Sequence, residues 1–222
     1  PPSSPAAAPP LIPARHLKPR TAASEARVRP NTLQFEADEH PTSPSAEALA
    51  GLRAAFKKDG TVTAGNASGI NDGAAAMVLA TADAANRAGL KPKARILGYA
   101  HAGVRPEVMG IGPIPAVQKL LRKNDLTIDD IDIFELNEAF GSQAVYVQKE
   151  LGIPNEKLNV NGGAIALGHP IGASGVRMLY EMYLQLQGRA DQRQLKDPTL
   201  GLTPNLGGIP IGKTVSVLIS GL

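Results

Sequence analysis

No cysteine occurs anywhere in the 222 residues. Disulfides, thiolate metal sites and cysteine nucleophiles are therefore excluded within this chain. Tryptophan is absent too, and aromatic residues make up only 4%. With so few aromatics there is no set of stacking platforms of the kind that binds single-stranded nucleic acid. No run approaches the roughly 18 consecutive apolar residues of a membrane-spanning helix. A large charge excess is missing as well. The net charge of +3 comes from residues 1–30, which hold five Lys or Arg and one acid. The rest of the chain is near neutral and has no basic stripe, which argues against a nucleic-acid surface.

What is present is 43% apolar residues, enough for a sizeable core. Ten of the nineteen prolines lie within residues 1–45. That opening stretch, "PPSSPAAAPPLIPARHLKPR", reads as extended or loosely packed. Its basic, acid-poor character resembles a transit peptide; the simpler expectation is a loose terminus of a truncated chain.

Beyond it, helical and strand patterns alternate. Apolar spacing predicts helices over 45–56, 81–89, 115–124, 138–151 and 172–189. Strands are predicted over 75–80, 94–100, 130–136, 158–167, 201–206 and 214–222, the last two as an antiparallel pair. Such alternation predicts a layered α/β domain with crossover connections. The expected division is a Pro-rich segment over 1–44, the end of a loop domain over 45–71, and the layered domain over 72–222.

His169 stands in "NGGAIALGHPIGASG", between glycine-rich runs, after a predicted strand and before a helix. Open α/β sheets place their chemistry at such turns. Glycines let a ligand come close to the backbone, and a general base or a donor to an oxyanion fits there. A structural histidine filling a tight turn is the competing reading. Asn137 and Glu138 in "ELNEAF" open another helix at a strand end, where helix capping is the simpler explanation.

Together these stretches are similar to the thiolases, enzymes that cleave or form acyl-CoA thioesters. "NVNGGAIALGHPIGASGVR" resembles their GHP signature and "ELNEAF" their NEAF motif. "KKDGTVTAGNASGINDGAA" resembles the loop that contacts coenzyme A, and "VMGIGPIPA" a further family segment. Their order and spacing agree over about residues 50–190. The resemblance implies a mixed sheet flanked by helices. It gives His169 the role of activating a nucleophilic cysteine and donating to the thioester oxyanion. Asn137 would hold a water in that oxyanion hole. Ser68, Ala64 and Ile70 would line the pantetheine tunnel, and Met109, Ala139 and Phe140 would lie beside the acyl and pantetheine groups. Gly207 would stand at the glycine whose amide completes a second oxyanion hole.

Two departures accompany the match. A thiolase has two similar halves with the nucleophile in the first, and this chain resembles the second half plus the end of the inserted loop domain. Many thiolases carry a second cysteine near the C-terminus in a C-x-G motif; here Asn205 stands in its place, in a tail closer to the "HNLGG" ending of the sterol-carrier type, with Pro204 for its histidine. An asparagine cannot shuttle protons near neutral pH.

The resemblance thus implies an acyltransferase-type chain of fatty-acid and lipid metabolism. It would perform thiolysis or Claisen condensation only with a cysteine-bearing half, and would be inactive alone. The alternative is a non-catalytic acyl-CoA-binding or assembly protein. Coenzyme A and acyl-CoA are expected as substrates, with no permanently bound cofactor and no metal. The expected partner is a second copy or a complementing N-terminal half, with no nucleic acid or membrane. The expected compartment is the cytoplasm, organellar import by the basic segment being the alternative. An apolar face on "GASGVRMLYEMY" is expected to lie exposed.

Finally, "GGIPIGKT" (207–214) satisfies the phosphate-loop pattern. That loop needs a following helix, whereas "VSVLISGL" is β-branched, so a terminal hairpin is expected. The other histidines, His16, His40 and His101, have no paired spacing that would suggest a metal site.

Overall fold

The computed structural model describes residues 44–206 and 213–221. The chain divides into two units, Pro1–Glu39 and His40–Leu222, and all described residues lie in the second. The Pro-rich segment, His16, His40 and Gly207 fall outside the described residues.

Helix α1 (Ala46–Ala50) starts on Ser45, whose hydroxyl accepts the Ala48 amide, and stops at Gly51. The predicted helix to residue 56 is therefore too long. Past Gly51 the chain turns into a short antiparallel contact, Ala54 opposite Thr63, that competes with further helix. Helix α2 (Ala82–Arg87) is capped by Thr81 in the same way. Between them lies the larger discrepancy. Residues 75–80, predicted as a strand, form no regular structure. Their β-branched and apolar side chains suit a strand, but a strand exists only as part of a ladder, and no described strand pairs with this one.

Strand β1 (Arg95–Gly103) is followed by helix α3 (Pro113–Lys123). Strand β2 (Ile133–Phe134) leads to helix α4 (Gly141–Leu151). A four-residue helix α5 (Ala164–Leu167) and the long helix α6 (Ser174–Leu186) precede strands β3 (Leu200–Leu206) and β4 (Lys213–Ser220). The predicted strand over 158–167 is reduced to one bridge, Leu158 beside Phe134. Its glycines, 162 at φ +91° and 163, break the ladder and start α5 instead.

The sheet order is β1-β4-β3-β2. β4 pairs antiparallel with both β1 and β3, and β2 pairs parallel with β3. Adjacent strand residues face opposite sides. Phe134 and Leu218 thus enter one core with Val117 and Leu120 of α3 and Val147 of α4. Ile133 and Ile219 enter the other, against Met182 and Leu179 of α6. The result is the expected mixed sheet between helical layers. The β3–β4 hairpin also answers the phosphate-loop pattern, because Thr214 lies inside a strand rather than at the start of a helix.

Candidate active site at the strand ends

The glycines around His169 are explained by close approach. Gly168 has φ +90°, and a Cβ there would meet the Asn71 side chain at 2.8 Å. The His169 amide donates to Asn71 Oδ1 at 3.0 Å. A Cβ on Gly73 would in turn meet Pro170 at 2.7 Å. The histidine loop is therefore pressed against a segment about a hundred residues earlier in the chain. The ring is held as well: Nδ1 lies 2.7 Å from Ser174 Oγ, and that hydroxyl donates to the Pro170 carbonyl at 3.2 Å. Burial, and then the Arg177 guanidinium, push the His169 pKa below its usual 6.5. The imidazole is neutral at physiological pH, the state a proton acceptor needs.

Asn137 is buried, and its Oδ1 has no hydrogen-bond partner among the described residues. Its backbone continues the β2–β3 ladder past β2, the Asn137 amide donating to Pro204 O at 3.2 Å. Glu138 fixes the next turn. Its carboxylate accepts from Asn159 Nδ2 at 2.7 Å and from the Ile165 amide at 3.1 Å. Only glycine fits at 163, because a Cβ there would run into the Glu138 carboxylate. Asn159 is the residue that sequence reasoning missed. At φ 45° it accepts the Leu136 amide and donates to the Leu136 carbonyl, imitating a strand neighbour. The available signal was an asparagine shortly before a Gly-Gly pair, three residues ahead of Gly162, since asparagine tolerates the left-handed region.

A chain of contacts brings these groups to one end of the sheet. Asn137 bonds Pro204, the neighbouring Asn205 side chain approaches Gly175, and Ser174 beside it touches His169. They gather toward the C-terminal ends of the parallel strands β2 and β3, Asn137 just past β2 and Pro204 and Asn205 in the last residues of β3, where open α/β sheets place their ligands.

A second cluster surrounds Phe140. The Ser68 amide and hydroxyl both donate to Ala139 O, at 3.1 and 3.2 Å. Ala67 bridges Phe140, and the Phe56 and Phe140 rings meet edge-to-face at 6.2 Å. An apolar cleft of about 360 Å³ opens here, lined by Phe56, Val62, Val108, Phe140 and Tyr146 among others. Of the residues expected beside an acyl-CoA, Ser68, Ala139 and Phe140 are brought together. Ala64 is exposed, Ile70 is 89% exposed and Met109 lies at the surface.

Behind the histidine, Glu135 is fully buried, 3.4 Å from Arg177 Nη2. Burial pushes its pKa up to about 8, although Arg177 pulls the other way. Near pH 7 its carboxyl is mostly protonated, so the Arg177 contact is closer to a hydrogen bond than to an ion pair. Among the described residues no group of three His, Asp or Glu is arranged for a metal. His101 is an exposed residue of β1.

A histidine loop after α5, an asparagine just past β2 and an apolar cleft around Phe140 are carried by a layered α/β fold. Residues 90–201 match the family described as "Thiolase, C-terminal domain", and residues 23–83 match "Thiolase, N-terminal domain". The chain belongs to the thiolase family. It is 54% identical over 197 residues to an acetyl-CoA acetyltransferase of Escherichia coli, covering 88% of this chain and 48% of that protein. It is 56% identical over 170 residues to one of Chromobacterium violaceum, covering 76% and 43%. The fold matches human mitochondrial 3-ketoacyl-CoA thiolase in complex with CoA, with a TM-score of 0.76 and 41% identity over 85% of this chain and 46% of that one. The chain thus spans just under half the length of the curated relatives it matches.

Proposed function

We propose that this chain supplies the histidine-and-asparagine part of a thiolase, and that it exchanges acyl groups between acyl-CoA and coenzyme A when a cysteine-bearing half is also present. The observation that carries the reading is His169: an imidazole kept neutral by burial and Arg177, buttressed on Nδ1, and preceded by a glycine that Asn71 leaves no room to replace. Such a group takes the proton from a thiol and, once protonated on Nε2, donates to the oxyanion of a tetrahedral intermediate. Asn137 supports the same reading through a buried carbonyl oxygen able to hold a water there. Ser68, Ala139 and Phe140 would line the pantetheine path and Met109 the acyl group, with Gly207 at the second oxyanion hole.

Residues 1–222 alone contain no thiol to acylate, so the isolated chain would be inactive. Serine is a poor substitute, because an acyl-serine ester would not pass its acyl group readily back to a thiol. A non-catalytic acyl-CoA-binding protein is the second reading, favoured by Asn205 at the place of a proton-shuttling cysteine. The test compares purified residues 1–222, alone and mixed with a cysteine-bearing first half of a related thiolase, for coenzyme-A-dependent cleavage of acetoacetyl-CoA. Activity is expected only in the mixture. Cleavage by the chain alone would refute the assignment of roles; binding of coenzyme A with no activity in a stable mixed complex would favour the second reading.

A further inference from the structure

We propose that Ser174 is a positioning residue that sets the tautomer of His169, holding the proton on Nδ1 and leaving Nε2 as the bare nitrogen. The inference rests on the proposed function only where Nε2 meets a substrate thiol. The tautomer itself follows from the protons available.

Ser174 is 2% exposed, so its hydroxyl must find its partners within the protein. It has two within reach: His169 Nδ1 at 2.7 Å and the Pro170 carbonyl at 3.2 Å. A serine hydroxyl carries one proton. A carbonyl can only accept. When the hydroxyl donates to Pro170 O, its lone pair receives Nδ1–H, and both donors are paired. The opposite arrangement, hydroxyl to Nδ1, makes one bond in place of two: it moves the ring proton to Nε2 and takes the hydroxyl from Pro170 O, which keeps only its two amide donors. The Pro170 carbonyl is fixed in place by the Ala173 and Ser174 amides at 2.8 and 2.9 Å, so it offers the hydroxyl a constant direction. The His169 amide is fixed independently by Asn71. Ring and hydroxyl therefore meet with little freedom on either side.

The charged groups around this pair do not supply a competing partner for Nδ1. Arg177, on α6, has no acceptor to offer and opposes a charged ring. Glu135 contacts Arg177, Glu138 is engaged by Asn159 and the Ile165 amide, and Glu181 bonds Asn161. With Nδ1–H given to Ser174, proton transfer is balanced simply. The S–H bond of a thiol breaks, its proton forms an N–H bond at Nε2, and the result is a thiolate facing an imidazolium that still donates from Nδ1 to Ser174.

The two neutral tautomers differ in their histidine ¹⁵N resonances. These are measured on isotope-labelled residues 1–222 by solid-state NMR, which reads soluble and sedimented protein alike. His169 is assigned by its loss in His169→Gln. The Nδ1–H form is expected in the unchanged chain and in Ser174→Thr, and its loss to a mixture or to Nε2–H in Ser174→Ala. An Nε2–H ring in the unchanged chain, or an unaltered ring in a folded Ser174→Ala, would overturn the proposal. If Ser174→Ala does not fold, the unchanged chain decides by itself. In the complemented enzyme, Ser174→Ala should lower kcat roughly tenfold or more with KM hardly moved, and Ser174→Thr should restore kcat. A correct tautomer in an inactive complemented enzyme would count against the proposed function and leave the role of Ser174 standing.

Discussion

The loop from Gly168 to Ser174 and the segment from Gly69 to Ala80 touch each other, yet they are built in opposite ways. The first is braced at every polar group that matters: His169 by Asn71 and Ser174, and Ser174 by Pro170. The second has no regular structure and carries Ile70, Val78 and Leu79 at 89%, 79% and 70% exposure. The difference teaches where each finds its partners. The loop closes partly on itself, through Ser174 and Pro170, and takes one side-chain partner, Asn71, from the other segment. A strand needs a neighbouring strand, and none of the described strands serves. The exposed apolar surface concentrates here rather than on α6, where Met178 and Met182 are buried and Tyr180 alone among the large apolar residues is markedly exposed.

The most severe way to break the braced side is His169→Ala. In a complemented enzyme it should cut turnover by roughly a hundredfold or more, through loss of both proton acceptance and oxyanion donation. Asn137→Ala should cost less, since a water can still occupy its position. Steady-state thiolysis rates check both, and unchanged turnover in the histidine variant would remove the basis for the assignment.

Next in size is Gly163→Ala. The new Cβ would collide with the Glu138 carboxylate and push the turn after Asn137 out of place. A stability loss of about 1–3 kcal/mol is expected from denaturant titration, the scale of overpacking in a close-fitted site. Gly172, whose Cβ would meet nothing within 4 Å, is the control, and its alanine variant should be close to neutral.

A subtler test concerns Glu135. Its folded pKa of about 8 lies above the ordinary value of 4.5, so the folded state holds a proton that the unfolded state has already released. Stability should therefore fall as pH rises from about 4.5 to about 8. Glu135→Gln keeps the neutral shape and should flatten that decline. Denaturant midpoints measured across the range would show it, and an unchanged slope would contradict the buried-acid reading.

The smallest effect on stability is expected on the other side of the comparison. Val78→Ser with Leu79→Ser should change folding stability by no more than about 0.5 kcal/mol, because neither side chain is packed. The same pair should reduce self-association, measured as mass in solution, because it removes exposed apolar surface. A large loss of stability would mean that the segment is packed after all.

The sequence made much of this legible. Periodicity in "PAVQKLLRKN" and "GVRMLYEMYLQLQ" marked α3 and α6, because each buries one face, and the β-branched run in "TVSVLISGL" marked β4, which is covered on both faces. Thr81 marked the start of α2 through local capping chemistry, whereas Gly51 stopped α1 inside a helix that its apolar spacing carried on to residue 56. The motifs placed Asn137 at a turn after a strand, which holds, and His169 likewise, whereas His169 follows the short helix α5. What could not be read was anything that depends on a partner far away in the chain. "AAMVLA" has the composition of a strand, but composition does not provide the ladder. "LNVNGGAIAL" has enough apolar residues for a strand, but its glycines turned it after Leu158.

By itself, then, the sequence determined the family and the layered α/β class, since these rest on local propensity and on residue types in fixed order. The tertiary structure alone decided that Asn71 holds the His169 amide across 98 residues, that Glu138 fills the space over Gly163, and that Asn159 stands in for a strand neighbour. It alone placed Arg177 between a buried acid and the His169 ring. The reason is physical: each of these is a contact between segments distant in sequence, and its strength comes from burial and exact geometry that no local pattern encodes.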